Sequence, residues 1–239
     1  MRLSDFIEQS NAAADRNELS ALFVLAMAEY GFDRCVCGPL TNPEIYDVPP
    51  EAPTVIITYP EAWSQHYFEN GYLAIDPIVL LTPVARRAYW WNDLRGLTPQ
   101  QKNIFHEAGE FGLRNGLCVP IHGPMGSVFA VSMAMSQKDK PAPGTDQKLT
   151  VLSTQMHTAL LALLDQSQEG FCTPIQLSDR ERECLLWSAR GKSSWDIGEV
   201  LHISDNTVNF HIKSAMKKLK ASSRIMAITK AVRMGQIAP

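Results

Sequence analysis

The chain of 239 residues lacks any run of apolar residues long enough to span a bilayer. Its first fifteen residues, MRLSDFIEQSNAAAD, also lack the apolar core of a secretory signal peptide. We therefore expect a cytoplasmic protein with no membrane partner. Hydrophobic residues make up 45% of the sequence and charged residues 20%, which is the balance of a globular protein. The length suits one large domain or two ordinary ones.

Residue patterns that bind metals or perform catalysis are also missing. The five cysteines are few and odd in number, and a reducing compartment would leave them as thiols. Cys35 and Cys37 are too close together for a typical zinc pair, and we interpret them as strand residues on opposite faces. The histidines show no H-x-H or H-E-x-x-H spacing, and no G-x-S-x-G turn occurs. We expect no metal, no cofactor and no enzymatic activity.

The net charge of −3 conceals an uneven distribution along the chain. Residues 175–239 contain 11 Lys or Arg and 6 Asp or Glu, a difference of +5. Residues 1–174 contain the other 11 basic residues and 19 acidic ones, a difference of −8. A basic end joined to an acidic body fits one domain that binds DNA and another that is held away from it.

The stretch from residue 178 to residue 220 shows the start and stop signals of three short helices. Ser178 and Glu181 form a capping box, in which each side chain accepts from the other residue's backbone N–H. Gly191 suits the left-handed residue that ends a helix, and a second helix begins at Ser193 or Ser194. Ser204 caps the third helix. The buried sides are expected to include Cys184, Leu185, Trp187 and Ala189 in the first helix and Ile197, Val200 and Leu201 in the second.

The third helix has two faces of different chemistry. One face is apolar, and the opposite face carries amides, a hydroxyl, an aromatic ring and lysines. Amides pair with base edges and lysines suit phosphates or guanine, so the stretch predicts a DNA-binding helix-turn-helix. The alternative is a small three-helix bundle with an ordinary solvated lysine face. The apolar face is Val208, Ile212, Ala215, Met216 and Leu219, and the opposite face is Asn206, Phe210, Lys213, Ser214 and Lys217, flanked by Thr207 and Asn209.

The text LSDRERECLLWSARGKSSWDIGEVLHISDNTVNFHIKSAMKKL resembles the DNA-binding domain of LuxR-type transcription regulators. Glu181, Leu185 and Gly191 stand where that family has its signature Glu, Leu and Gly, and TVNFH is typical of its recognition helix. The sequence departs from the pattern at Asp196, where Glu is usual, and at Gly198, where Ala is usual. Gly inside a helix costs about 1 kcal/mol relative to Ala. We expect Gly198 to allow a close helix approach.

The resemblance implies a homodimer that binds a pseudo-palindromic operator in double-stranded DNA, with RNA polymerase as a further partner. It implies base contacts by Asn209 and Lys213 and phosphate contacts by Thr207 and Lys217. Phe210 is expected to touch a thymine methyl group. A response regulator carries a similar domain behind a phosphate-accepting receiver. That class needs an acidic cluster after the first strand and regular strand–helix alternation, and the sequence shows neither.

The first two thirds of the chain mix predicted helices and strands. The strands come in hairpin-like runs rather than in regular strand–helix alternation, which favours an antiparallel sheet. The expected class is α+β, with an N-terminal α-β-α sandwich around an antiparallel sheet and a C-terminal all-α helix-turn-helix bundle. The expected domains are residues 1–165 and 177–239, joined by a linker at 166–176. Helices are expected at 3–13, 17–30, 60–70, 98–112 and 146–165, and strands at 35–40, 54–59, 116–121 and 127–135.

An aromatic stretch in the first domain suggests a pocket. Tyr59, Trp63 and Tyr67 are spaced four apart, so they share one face of the helix that starts near residue 60. Asp76-Pro77 follows, and then Tyr89-Trp90-Trp91. Aromatic residues at helical spacing usually form core, and Asp before Pro is usually a helix cap. On spacing alone, the stretch could form either a ligand pocket or an ordinary core with a capped helix.

The text TYPEAWSQHYFENGYLAIDPIV resembles the region of the same family, most of all its LasR-like members, that binds an N-acyl-homoserine lactone as autoinducer. By this resemblance, Asp76 accepts from the ligand amide N–H, Trp63 donates to the lactone carbonyl and Tyr59 donates to the amide carbonyl. Ser132 is a further candidate for a carbonyl contact. The implied walls of the pocket are Tyr67, Trp91, Leu113 and Cys118, and Gly116 and Pro77 also match positions that the family keeps.

Two other functions remain open at this point. A regulator of the same family could respond to a small molecule that is not an acyl-homoserine lactone, since the pocket residues do not separate one acyl chain from another or from a mimic. A lactone-processing enzyme is the alternative from a different class, and consumption of lactone by the purified protein would support it. Neither the operator sequence nor the choice between activator and repressor follows from the residues, although we expect an activator.

Overall fold

The computed structural model describes residues 1–41, 54–137, 141–167 and 176–238. Within them the chain forms two compact units: the first consists of Met1–Gly123 and Ser127–Gly170, and the main segment of the second is Phe171–Pro239. Residues 42–53 and 138–140 and most of the predicted linker (168–175) lie outside the described residues. No helix in the described part of the chain is both long and apolar enough to cross a membrane.

The first unit contains six helices and five strands among its described residues. The helix Pro99–Glu110 begins with a capping box of Thr98 and Gln101, and Pro99 occupies its first position. The predicted strand at 54–59 is strand only at Ile56–Ile57. The elements are α1 Leu3–Ala12, α2 Arg16–Ala28, β1 Arg34–Pro39, β2 Ile56–Ile57, α3 Glu61–Glu69, α4 Pro77–Leu81, β3 Tyr89–Trp90, α5 Pro99–Glu110, β4 Asn115–His122, β5 Val128–Met135 and α6 Thr145–Ser167, with short 3₁₀ turns at Tyr72–Ala74 and Trp91–Asp93.

The five strands form one antiparallel sheet in the order β2-β1-β5-β4-β3. Alternate residues of a strand point to opposite faces, so each strand supplies two cores. In β5, Phe129, Val131 and Met133 join the core formed with α1, α2 and α6. Ala130 and Ala134 join a second core formed with α3, α4 and α5. The predicted α+β class and the α-β-α arrangement around an antiparallel sheet are therefore confirmed.

The interpretation of Cys35 and Cys37 as residues on opposite faces is wrong. Both side chains are fully buried in the core with α1, α2 and α6. The period of a strand is two residues, so positions i and i+2 share a face. Val36, which lies between them, points to the other side of the sheet and lines a cavity there.

The second unit consists of four helices among its described residues: α7 Asp179–Ala189, α8 Ser194–Leu201, α9 Asp205–Lys218 and α10 Arg224–Arg233. The predicted capping box of Ser178 and Glu181 is present, and Ser204 caps α9. Gly191 has a φ of 79°, as expected for a residue that ends a helix. Val200 was expected to be buried but is 44% exposed. The apolar contacts of α8 come instead from Ile197 and, in part, from Leu201.

Gly198 allows a close approach, as expected, but the neighbour is the turn that follows α8. A Cβ atom at this position would lie 2.6 Å from the carbonyl oxygen of Ile203 and 3.4 Å from the backbone nitrogen of Asp205. The turn folds back because the Ile203 N–H donates to the Gly198 carbonyl at 3.0 Å and His202 adopts a left-handed conformation. The turn between the two helices therefore occupies the space of the missing side chain.

We expect Gly198→Ala to destabilise the helix-turn-helix. The gain in helix propensity is about 1 kcal/mol, but the backbone contact forces the turn to move. Faster amide hydrogen exchange in α8 and α9 of the full chain would show the effect. Gly109→Ala is the matched control: Gly109 lies in α5, and a methyl group added there would have no neighbouring atom within 4 Å, so this variant should gain stability. Equal exchange in wild type and Gly198→Ala would contradict the prediction.

Candidate functional site

A cavity of about 170 Å³ lies on the side of the sheet covered by α3, α4 and α5. Its lining is mostly apolar and aromatic, with a few polar side chains among them. Seven of the eight predicted ligand-binding residues line it: Tyr59, Trp63, Tyr67, Asp76, Trp91, Leu113 and Ser132. A mostly apolar cavity with few polar groups is the usual form of a small-molecule site.

Cys118 does not line the cavity, contrary to its predicted place in the wall. The side chain is fully buried in β4 next to Ser132 of β5, and its Sγ lies 3.4 Å from Oγ1 of Thr82. Thr82, rather than Cys118, lines the cavity. The thiol therefore supports the cavity wall from behind.

Sequence reasoning missed more than half of the lining. Part of it follows from periodicity once the strand and helix faces are known: Val36 and Gly38 alternate in β1, and Ile104 and Ala108 lie one turn apart in α5. The remainder depends on how distant segments pack, which no local spacing indicates. The missed lining residues are Val36, Gly38, Pro39, Leu40, Thr54, Ile57, Ser64, Phe68, Leu73, Ile78, Val79, Thr82, Ile104, Phe105, Ala108 and Ala130.

Asp76 is both a helix cap and a polar group of the cavity wall. Its Oδ1 accepts from the backbone N–H of Ile78 at 2.7 Å, which caps α4, and its Oδ2 accepts from the Tyr67 hydroxyl at 2.7 Å. Loss of hydration raises the pKa of this carboxyl, and these two bonds oppose the rise. A carboxylate offers about four lone-pair directions, so acceptor capacity remains for a ligand donor.

Two buried donors beside the cavity reach no acceptor in the described part of the chain. These groups are the Tyr59 hydroxyl and the Trp91 indole N–H. Burial raises the pKa of the Tyr59 phenol well above its usual range, although the Ser132 hydroxyl acts in the opposite direction. An unsatisfied buried donor costs about 1–3 kcal/mol. A ligand that carries carbonyl oxygens would offer the missing acceptors.

Trp63 is held in a cluster of rings that joins α3 to α5. Its ring centroid lies 5.8 Å from that of Tyr67, 5.9 Å from that of His66 and 5.5 Å from that of Phe111. His66 Nε2 and the Tyr72 hydroxyl each lie 2.6 Å from the same carboxylate oxygen of Glu107 in α5. Hydrogen bonds from these two groups hold the pKa of Glu107 below its usual range. The cluster fixes the face of α3 that carries Trp63.

Gly116 leaves room for Trp91. A Cβ atom at Gly116 would lie 2.3 Å from Cε2 of the indole, far inside contact distance. We expect Gly116→Ala to displace the ring and to lower the free energy of unfolding by about 1–3 kcal/mol, the usual cost of overpacking. Denaturant unfolding would measure the change. The double variant with Trp91→Phe should recover part of the loss, and no loss in the single variant would contradict the contact.

The predicted DNA-contacting residues lie together on α9. Phe210 is 67% exposed, and Asn209, Lys213 and Lys217 are also exposed. Thr207 is half-buried, and its hydroxyl lies 2.8 Å from that of the helix cap Ser204. The arrangement presents two ammonium groups, an amide and an aromatic ring to solvent on one helix. This chemistry suits the major groove of DNA.

The opposite side of α9 holds the helix against α7. Val208, Ile212 and Ala215 are buried there. Ser214, which the periodicity places on the outward face, donates instead to Glu181 of α7 at 2.7 Å. The described residues contain no cluster of three or more His, Cys, Asp or Glu side chains that could hold a metal ion.

Comparison with known proteins follows the same division of the chain. Residues 15–160 match the family "Autoinducer binding domain", and residues 175–231 match "Bacterial regulatory proteins, luxR family". The chain is 35% identical over 244 residues to the putative HTH-type transcriptional regulator y4qH of Sinorhizobium fredii, which covers 99% of this chain and 73% of that protein. The chain belongs to the LuxR family of transcriptional regulators.

Other members of the LuxR family support this conclusion. The transcriptional activator LuxR of Aliivibrio fischeri is 34% identical over 190 residues, covering 77% of this chain and 75% of that protein. The structure of SdiA in complex with octanoyl-rac-glycerol matches with a TM-score of 0.69 at 26% identity, covering 99% of this chain and 95% of that one. These relatives are regulators rather than enzymes. They do not single out a LasR-like branch.

Proposed function

We propose that this LuxR-family protein is a quorum-sensing transcription activator that binds an N-acyl-homoserine lactone in the cavity of its first unit. As a homodimer it binds a pseudo-palindromic operator in double-stranded DNA through α9. Residues 1–165 form the ligand-binding and dimerisation domain, residues 166–176 the linker and residues 177–239 the DNA-binding domain. The protein works in the cytoplasm with RNA polymerase as partner and needs no cofactor.

The observation that carries the proposal is the pairing of one acceptor with unsatisfied donors in an apolar cavity. An acyl-homoserine lactone has one amide N–H, two carbonyl groups and an aliphatic tail. Asp76 accepts from the amide N–H, and the unsatisfied hydroxyl of Tyr59 donates to the amide carbonyl. Trp63, which lines the same cavity, donates to the lactone carbonyl. Ser132 lines the same cavity and is a further candidate to donate to a carbonyl group. Tyr67, Trp91 and Leu113 enclose the rest of the ligand.

The ligand acts by stabilising the first unit. A ligand at a hundredfold excess over its dissociation constant adds about 2.7 kcal/mol to the free energy of unfolding. The ordered domain then dimerises, and two copies of α9 contact two half-sites, because a two-fold protein matches a two-fold operator. Asn209 and Lys213 contact bases, Thr207 and Lys217 hold phosphates, and Phe210 touches a thymine methyl group.

Mass spectrometry of small molecules extracted from the purified protein tests the ligand assignment. Recovery of an acyl-homoserine lactone from protein expressed in a producing host, with an upward shift of the melting temperature when the same compound is added, is the expected result. A protein that melts at the same temperature with acyl-homoserine lactones of short, medium and long chain would contradict the assignment.

A second candidate is a regulator that responds to a different acylated small molecule. The observation in its favour is the complex of SdiA, a structural neighbour, with octanoyl-rac-glycerol. Such a ligand offers an ester carbonyl and hydroxyl groups but no amide N–H. Stabilisation by octanoylglycerol but not by N-octanoyl-homoserine lactone would favour this candidate.

We expect Lys213→Ala to lower affinity for the specific operator, because the exposed ammonium group contacts a base or its phosphate. Removal of one good base contact costs about 1–3 kcal/mol. Fluorescence anisotropy at fixed salt would measure the change. Lys102→Ala, an exposed lysine of α5, removes the same charge from the first unit and should have little effect. Equal operator affinity in wild type and Lys213→Ala would reject the contact.

A further inference from the structure

A chain of hydrogen bonds connects α10 to the outward face of α9. Arg224, in the first turn of α10, donates from Nη1 to the Ser194 hydroxyl at 3.1 Å. Its Nη2 donates to the Ser188 hydroxyl at 2.6 Å and to the Lys192 carbonyl at 3.1 Å. The Ser194 hydroxyl in turn donates to Oδ1 of Asn209 at 2.7 Å. The bonds therefore join α7, α8 and α10 to a residue on the DNA-facing side of α9.

The chemistry of the groups agrees with the direction of these bonds in the structure. A guanidinium group has donors only, so Arg224 donates at every one of its contacts. The Ser188 hydroxyl uses its hydrogen on the Cys184 carbonyl at 2.6 Å and accepts from Arg224. Ser194 also accepts from Arg224, which leaves its own hydrogen for the Asn209 oxygen. Because Arg keeps its charge at any physiological pH, Ser194 accepts from it throughout that range and keeps its own hydrogen available for Asn209.

The bond from Ser194 goes with one orientation of the Asn209 amide. Its oxygen is turned toward the start of α8, and no described residue accepts a hydrogen bond from its nitrogen. An asparagine that reads adenine through two bonds uses the oxygen and the nitrogen together. With the oxygen engaged, the amide presents N–H donors alone. Donors match N7 and O6 of guanine, N7 of adenine and O4 of thymine, but not the amino group of cytosine.

We propose that Ser194, held by Arg224, orients the Asn209 amide so that this position of α9 reads a hydrogen-bond acceptor on a base. Ser194 and Arg224 are positioning residues, and neither needs to touch DNA. The inference rests on the proposed function, because it assigns a kind of base contact to a residue that the proposed operator recognition already uses. It adds the polarity of that contact and the residues that set it.

The test compares full-length variants on DNA selected from a randomised duplex library. Wild-type protein is supplied with N-octanoyl-homoserine lactone and, in parallel, with octanoylglycerol, and its preferred duplex is sequenced. Each purine of one half-site is then replaced by its 7-deaza analogue and each thymine by an analogue that lacks O4. We expect one such replacement to lower wild-type affinity about tenfold, the effect of a lost base contact.

Ser194→Ala frees the amide to turn, and we expect the tenfold loss at that base to shrink to less than about threefold, with a relaxed base preference there. Ser194→Thr keeps a hydroxyl and should keep the wild-type pattern. Ser193→Ala removes the helix cap of α8 but leaves these bonds, so it separates weaker folding from lost orientation. If Arg224→Lys folds, it should behave like Ser194→Ala. If it does not fold, the serine variants alone test the positioning role.

The outcomes separate this proposal from the function on which it rests. If Ser194→Ala selects the same duplex as wild type and shows the same tenfold loss, the positioning role is wrong even though operator binding stands. A wild-type preference for cytosine at the base next to Asn209 would also overturn it. If wild-type protein selects no duplex with either ligand, and Lys213→Ala changes nothing, the proposed operator recognition itself fails.

Discussion

Replacing Asp76 with Asn is expected to abolish most of the ligand-dependent stabilisation while leaving the unliganded protein nearly as stable as before. Asn caps helices about as well as Asp, so the bond from the Ile78 N–H to Oδ1 is kept. The group that replaces Oδ2 is an amide NH₂, which would face the donor N–H of the ligand. The ligand then loses its charged acceptor, while the cavity keeps its shape and its apolar lining.

The size of this effect follows from the strength of the lost bond. A hydrogen bond to a charged group contributes about 1.5–3 kcal/mol, which corresponds to about a 10- to 150-fold loss of ligand affinity. Tyr67→Phe removes the hydroxyl that bonds the other carboxylate oxygen, so it should raise the pKa of Asp76 further and weaken the ligand less than Asp76→Asn does. Asp33→Asn, on the surface of the same unit, is the control for a lost charge.

The effect also has a predicted dependence on pH. Burial raises the pKa of Asp76 above its ordinary value of 3.8. At a pH above the raised pKa, the ionised carboxylate lowers the stability of the unliganded protein. This cost disappears as the pH falls below 3.8, because the carboxyl group is then protonated in both the folded and the unfolded chain. A ligand N–H that donates to the carboxylate favours the ionised form. Ligand affinity should therefore rise as the pH rises through the raised pKa of Asp76, and Asp76→Asn should lack this rise.

Differential scanning fluorimetry with and without N-octanoyl-homoserine lactone would measure both effects. An unchanged ligand-induced shift of the melting temperature in Asp76→Asn would reject the role of the carboxylate. A large fall in the melting temperature of the unliganded variant would mean that the bond from Tyr67 to the carboxylate, rather than ligand contact, is the main task of this residue.

The parts of the fold that the sequence predicts well are those set by short-range chemistry. Thr98, Ser178 and Ser204 cap helices because a side-chain oxygen reaches an N–H three residues ahead, and that reach is fixed by local geometry. Gly191 ends α7 because its left-handed conformation is open to glycine. The burial of single positions near helix ends is harder to predict. Val200 lies one residue before the end of α8, and it is exposed there.

The candidate ligand site could not be assembled from spacing alone. Trp63 and Tyr67 share a helix face by periodicity, but the same pattern fits an ordinary core. Ser132 and Val36 reach the cavity through the pairing of β1 with β5, which joins segments almost a hundred residues apart. Thr82 lines the cavity and Cys118 lies just behind it, although the two side chains are in contact. Which of them faces the cavity depends on side-chain packing over a few ångströms. The family resemblance supplied Ser132, but it missed Val36 and Thr82 and placed Cys118 in the wall, where it does not lie.

Glu181 links α7 to α9 in the second unit through one buried carboxylate. Its side chain is 5% exposed, and its Oε2 accepts from the Ser178 N–H at 2.7 Å and from Lys218 at 2.8 Å. Its Oε1 accepts from the Ser214 hydroxyl at 2.7 Å. Burial alone would raise the pKa of this group, but Lys218, Ser214 and the Ser178 N–H together lower it to about 2 from an ordinary 4.5.

The lowered pKa makes the stability of this unit depend on pH. A carboxyl group whose folded pKa is depressed stabilises the fold above its unfolded pKa and loses that contribution as the pH falls through the folded pKa. The shift corresponds to about 3 kcal/mol, fully present above about pH 5 and lost progressively toward pH 2. We expect Glu181→Gln to remove most of this contribution, because Gln can maintain the capping box but cannot pair with Lys218.

Amide hydrogen exchange of α7 and α9 in the full chain would measure the loss, since exchange of slow amides reports local opening. Glu181→Gln should speed that exchange about 100-fold at pH 7. The difference from wild type should shrink as the pH falls from about 5 to 3, because the wild-type carboxylate loses its advantage over that range. Glu183→Gln is the matched control, because its exposed pair with Arg180 contributes less than about 1 kcal/mol. A difference that stays constant from pH 7 to pH 3 would show that packing around Glu181, rather than its charge, holds α7 against α9.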